Sequence, residues 1–355
     1  MIYPKFPKPG DTLGICAPSA GVGEKIESFD LSVETLRNAG YDIAETKNVR
    51  SCGYPSSPAG IRGAEFNECF ERDDISAVVC ASGGDFCIEM LPYINQKSVR
   101  DNLKWFVGYS DPTSIEMLLT TKLDIATIYG VNAGAWDWRP LHEYQKVALS
   151  ILGGDIPVQH SYERYSASGY NEETGAYEMD GEVKWELFMP RPSSYSDNLS
   201  SSDDFKSVYT LACDYELNVS GRLIGGCIDV INEVIGTPFE ALEGFCARYA
   251  DDGIIWFFDN YELNPMQLQY AIRKMQLKGL FNNARAVIFG RTFIPREATD
   301  RDYLEKLGRV LADNSVPLIW NADIGHTKPS FTIINGAIGH LSYRNGAASL
   351  KMELR

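Results

Sequence analysis

Ser110 stands at the end of an apolar run, Lys104-Trp105-Phe106-Val107-Gly108-Tyr109, and is followed at once by the helix-start signal Asp111-Pro112-Thr113. A serine on a sharp strand-to-helix turn has its hydroxyl pushed out of the sheet. The backbone N–H groups of the new helix then lie close to where an oxyanion would form. Such a serine becomes a nucleophile only with a base, and the base needs a group to orient it. The chain has four histidines. His142 sits in a polar helical stretch, His160 in a polar connecting region and His340 in an apparent terminal strand, Ala337-Ile338-Gly339-His340-Leu341. His326 follows the strand Val316 to Trp320 in the loop Ala322-Asp323-Ile324-Gly325-His326-Thr327-Lys328-Pro329, the kind of place where α/β proteins gather ligands. For the orienting acid, Asp259 closes the very apolar run Trp256-Phe257-Phe258, where an unpaired charge would be costly. Glu262 is a competitor three residues on.

The elements that must position these groups follow from periodicity. Thr12 to Ala17, Ile75 to Cys80, Trp105 to Val107 and Ile125 to Tyr129 read as strands, separated by helical stretches at Phe29 to Asn38 and Ile61 to Phe70. This alternation predicts an α/β fold whose N-terminal domain, residues 1–152, is a flavodoxin-like parallel sheet with helices on both faces. The pattern breaks from about Gly153 to Ser207, a Ser-, Tyr- and acid-rich stretch that contains Ser200-Ser201-Ser202-Asp203-Asp204. Residues 153–215 are therefore read as a linker with partial strand structure. Regular patterning resumes at Gly221, with strands at Ile254 to Phe258 and Ala286 to Phe289 and helices at Pro265 to Lys278 and near Tyr303 to Leu311. Residues 216–355 form a second α/β domain with a β-rich end that carries the acid and the histidine.

Composition narrows the function classes. The 355 residues include 33 Lys and Arg against 48 Asp and Glu, a formal net charge of -15. That balance argues against a nucleic-acid surface, which needs clustered basic residues. No apolar run approaches the roughly 18 residues of a membrane span. The eight cysteines are scattered without CxxC pairs, several of them in apolar strands, as expected of a reduced cytoplasmic protein without a structural zinc site. Gly83-Gly84 and Gly225-Gly226 lack the third glycine of a dinucleotide-binding fingerprint.

Several motifs in this order resemble one family. Gly108-Tyr109-Ser110-Asp111-Pro112-Thr113 is similar to the Gly-aromatic-Ser-Asp-x-Thr turn of the LD-carboxypeptidase family of serine peptidases, which includes the microcin C self-immunity peptidases. Gly10-Asp11-Thr12-Leu13-Gly14-Ile15-Cys16-Ala17-Pro18-Ser19 resembles the family's opening strand, Gly221-Arg222-Leu223-Ile224-Gly225-Gly226 its entry to the second domain, and Gly325-His326-Thr327 its histidine loop. The resemblance implies a Ser-acid-His triad of Ser110, Asp259 and His326, formed at the domain junction, commonly in a homodimer. It also implies an oxyanion hole from the N–H of Asp111 and one from the Gly83-Gly84 turn, with no metal and no organic cofactor.

Three positions depart from the pattern. Asp259 stands where the family has glutamate, and Cys227 where it has asparagine. The segment Ser82-Gly83-Gly84-Asp85-Phe86-Cys87 lacks the Arg-Gly-Gly-Tyr-Gly of muropeptide-trimming members, and its spacing to Leu91-Pro92-Tyr93 resembles the immunity branch. The expected activity is cleavage of an amide in a small peptide-derived or aminoacyl-nucleotide substrate. A murein tetrapeptide LD-carboxypeptidase is the alternative within the class, and a non-catalytic binding protein on the same fold the alternative outside it. Trp136 and Trp138 are weighed as base-stacking residues and, preferentially, as packing.

Overall fold

Runs such as Leu13 to Cys16, Ala77 to Cys80 and Trp105 to Gly108 are buried almost throughout, which only a sheet covered on both faces can achieve. In this computed structural model, which describes residues 1–171, 176–182, 184–191, 209–212, 215–292 and 298–355, the first sheet is built from five parallel strands. These are β1 (Thr12–Cys16), β2 (Asp42–Glu45), β3 (Ile75–Cys80), β4 (Trp105–Gly108) and β5 (Thr127–Tyr129). Their order, β2-β1-β3-β4-β5, is the flavodoxin-like order expected. The helix Ile26–Asn38 turns Phe29, Val33 and Leu36 inward at helical spacing, and Ala59–Glu71 does the same with Phe66, Cys69 and Phe70.

The polar stretch that follows contributes β6 (Gln159–His160), the hairpin β7 (Tyr170–Asn171) and β8 (Ala176–Tyr177), and β9 (Glu186–Pro190), which pairs with β10 (Tyr209–Leu211). Ser200 to Asp204 and Cys213 lie outside the described residues. The remaining strands are β11 (Glu216–Cys227), β12 (Ile254–Asp259), β13 (Ala284–Gly290), β14 (Leu318–Ala322), β15 (Ile333–Asn335), β16 (Ile338–Arg344) and β17 (Ala347–Glu353). The second sheet runs β10-β9-β14-β13-β12-β11-β16-β17-β6, with a parallel centre and antiparallel flanks. β6 and β9 thus sit near opposite ends of one sheet. β6 is held by Gln159, whose side chain exchanges hydrogen bonds of 2.7 and 2.9 Å with the backbone of Thr332.

One pairing is not legible in the local pattern. β15, from the C-terminal part of the chain, adds an antiparallel edge to the first sheet through Ile333–Tyr129, Ile334–Ile128 and Asn335–Thr127. This crossover brings the loop after β14 to the C-terminal ends of β3, β4 and β5. Among the described residues no helix is long and apolar enough to cross a membrane.

Candidate active site

The turn after β4 is strained at one residue. Ser110 has φ 70°, a left-handed conformation that costs a non-glycine residue roughly 1–3 kcal/mol and aims its side chain away from the sheet. Gly108 makes the tight return possible, because a Cβ there would crowd Pro112 and Cys80. Gly83 lies against the serine: an added Cβ would stand 3.2 Å from both Cβ and Oγ of Ser110. Gly84, at φ 143°, packs its backbone against Ser19.

The Asp111 side chain ties these two turns together. Its buried carboxylate accepts from the backbone N–H groups of Phe86 and Cys87, at 2.8 Å each, and from the hydroxyl of Ser19. Burial pushes its carboxyl above the usual range, and the three donors oppose that shift. Asp111 therefore anchors the diglycine loop beside the serine through its side chain, while its N–H remains the candidate oxyanion donor. Gly83, Gly84, Ser110 and Asp111 share one corner at the C-terminal ends of β3 and β4.

His326 reaches this corner from the loop after β14. Its Nε2 is 3.0 Å from Ser110 Oγ, and its Nδ1 is 2.7 Å from Oδ2 of Asp259. Asp259 is fully buried at the end of β12. Gly325, at φ 95°, lets the loop backbone press against that carboxylate, since a Cβ there would overlap it. The imidazole lies between Tyr261 and Tyr109, with ring centroids 4.4 and 5.2 Å away. Asp323 secures the base of the loop. Its carboxylate accepts from Tyr162 N–H and Trp185 Nε1 and stands 2.6 Å from Arg291 Nη1.

A fourth group joins the constellation. Tyr129, the last residue of β5, donates its hydroxyl to Asp259 Oδ2 at 2.8 Å, the oxygen that also faces His326. One hydroxyl donor and the imidazole Nδ1 face the same oxygen, which restricts the rotation of this short side chain. We expect Tyr129→Phe to lower kcat about tenfold, the equivalent of one hydrogen bond to a charged group of roughly 1.5 kcal/mol. Steady-state kinetics check this, and an unchanged kcat would remove Tyr129 from the support of the acid.

The other candidates lie elsewhere. Glu262 is exposed, and its N–H, like those of Tyr261 and Leu263, donates to Asp229, which holds the turn after β12. Cys227 is buried behind the site, with its N–H on Thr113 Oγ1 and its thiol donating to Asp229. His142 caps the helix Glu143–Leu152, His160 lies in β6, and His340 pairs with Ser220 and Glu353 on the outer face of β16. Trp136 is core, donating to Gln145 O, and Trp138 stacks on Tyr177. Tyr129, Gly325, Ser19 and Lys328 were not assigned from sequence. A glycine directly before the loop histidine was the one available signal, because nothing local in β5 or β1 points across the molecule.

The model of the LD-carboxypeptidase N-terminal domain matches residues 13–130, and that of the LD-carboxypeptidase C-terminal domain matches residues 220–341. The microcin C7 self-immunity protein MccF of Escherichia coli is 24% identical over 352 residues, covering 96% of this chain and 93% of that protein. A Bacillus subtilis protein named "Probable murein peptide carboxypeptidase" is 23% identical over 339 residues, 94% of this chain and 89% of its own. The solved structure of MccF in complex with glutamyl sulfamoyl guanosine has the same fold, with a TM-score of 0.76 at 20% identity over 99% of this chain and 98% of that one.

Proposed function

We propose that this chain, which belongs to the LD-carboxypeptidase family, is a serine amidohydrolase of the immunity-like branch, acting on a small peptide-derived or aminoacyl-nucleotide amide. The observation that carries the reading is the continuous line from Ser110 Oγ to His326 Nε2 at 3.0 Å and from His326 Nδ1 to Asp259 at 2.7 Å. In this mechanism Ser110 Oγ attacks the amide carbonyl while His326 Nε2 takes its proton. Asp259 holds the imidazole with Nδ1 protonated and stabilises the imidazolium that forms. The tetrahedral oxyanion is met by the Asp111 N–H and one from the Gly83-Gly84 turn. His326 then delivers its proton to the leaving amine. A water, deprotonated by the same histidine, cleaves the acyl-serine and restores the hydroxyl.

The choice of substrate rests on sequence and likeness. The diglycine segment lacks the muropeptide-trimming motif, and MccF has been solved with aminoacyl sulfamoyl nucleosides. Purified protein offered an aminoacyl-adenylate amide and an LD-tetrapeptide is expected to release amine from the first faster. Faster release from the tetrapeptide would favour the murein carboxypeptidase reading. Binding of either without turnover would favour a binding protein on this fold. The reading includes a cytoplasmic homodimer, which light scattering of the purified chain would test.

A further inference from the structure

Lys328 is the unexpected charge in this region. The residue is only 6% exposed, and its Nζ sits 4.6 Å from the ring centroid of Tyr109 and 5.7 Å from that of Tyr144. No ion pair joins it to a carboxylate among the described residues. Its electrostatic neighbours are Tyr177, Asp259 and Asp137, and burial pushes its ammonium below the usual lysine range. Lys328 lines a partly open pocket with room for about one water-sized group, together with Tyr109, Tyr129, Gly325, Ser330 and Phe331. Tyr109 immediately precedes Ser110, and Gly325 immediately precedes His326, so this pocket adjoins the reacting pair, and a single anionic oxygen would fill it. A desolvated ammonium costs more than contact with aromatic faces recovers, and pairing with an anion offsets the difference. A structural ammonium would be expected on carbonyl oxygens, as the buried Lys104 is on the carbonyls of Cys69 and Arg72.

We propose that Lys328 is a substrate-binding and specificity-determining residue that receives an oxyanion, a carboxylate or a phosphoryl group, carried by the substrate beside its scissile amide. The proposal rests on the hydrolase reading above for the identity of the amide. Its own content is the anion requirement.

The test uses full-length protein and two matched pairs of probes. One is an LD-tetrapeptide with a free C-terminal carboxylate and its C-terminal carboxamide. The other is an aminoacyl-adenylate phosphoramidate and the corresponding aminoacyl amide of 5′-amino-5′-deoxyadenosine, which lacks the phosphoryl group. Calorimetric binding is measured in the Ser110→Ala background, where the probes persist, and kcat and KM in the otherwise native enzyme. Lys328→Met is expected to weaken binding of the charged member of one pair by about 100-fold, with the loss in KM more than in kcat, and to leave its neutral partner within about threefold. The pair that responds identifies the source of the anion. Lys328→Arg should restore part of the affinity, and the melting temperature of Lys328→Met should not fall, since a buried charge without a carboxylate partner among the described residues is being replaced by an apolar chain of similar length. Equal losses on charged and neutral members, or no charge-dependent affinity for either pair, would overturn the proposal. Charge-dependent binding through Lys328 without turnover by the native enzyme would instead sink the hydrolase reading and leave the anion site standing.

Discussion

Ser110→Ala is expected to reduce kcat by roughly 10⁴- to 10⁶-fold, with substrate binding changed by no more than about threefold. In the proposed mechanism the hydroxyl is the bond-forming group, and deleting it leaves the candidate oxyanion donors and the surrounding surface in place. The same position carries a second, opposite expectation. At φ 70° a serine is held in a conformation that glycine adopts without penalty. Ser110→Gly should therefore be inactive yet more stable than the native chain, by about 1 kcal/mol. Urea denaturation of Ser110→Gly beside the native chain measures the difference. Residual turnover near the native rate in Ser110→Ala would remove the serine from the mechanism, and a destabilised Ser110→Gly would remove the strain argument.

Asp259→Asn should be nearly as damaging, lowering kcat by about 10⁴-fold, because an amide nitrogen facing Nδ1 favours the wrong imidazole tautomer. Glu262→Gln, on the exposed turn three residues away, should leave kcat within about twofold. The informative variant is Asp259→Glu, which installs the residue expected from the family resemblance. In this chain Gly325 presses its backbone against the Asp259 carboxylate, and Tyr129 already meets Oδ2 at 2.8 Å. An extra methylene has no room without moving the histidine loop, and overpacking a filled site costs about 1–3 kcal/mol. Asp259→Glu is thus expected to lose both stability and activity. Recovery of full activity by that variant would show that the loop accommodates either acid and that the short side chain is incidental.

These expectations separate what is local from what is not. The serine turn could be read from a stretch of chain, because an apolar strand, a glycine and an Asp-Pro-Thr helix start each act on their immediate neighbours. The β-α alternation of the first sheet was equally legible, since burial on both faces forces continuous apolar runs such as those of β3 and β4. Asp259 drew notice for a similar reason, as an acid that ends a strand buried along its whole length.

The partners of these groups come from places the chain order does not reveal. β15 crosses back to pair with β5, and that single antiparallel edge stations the histidine loop over Ser110. The side chain of Asp111 binds Ser19 and the loop before Cys87, and Tyr129 reaches Asp259, from another sheet. Lys328 becomes a buried charge, without an ion pair to any carboxylate among the described residues, only once Tyr109 and Tyr144 close around it. Periodicity reports the surroundings of a residue averaged over its own element, which suffices to say strand, helix or turn. A hydrogen bond or a buried charge depends on one atom of a distant element arriving within about 3 Å, and only the packed tertiary structure sets that distance.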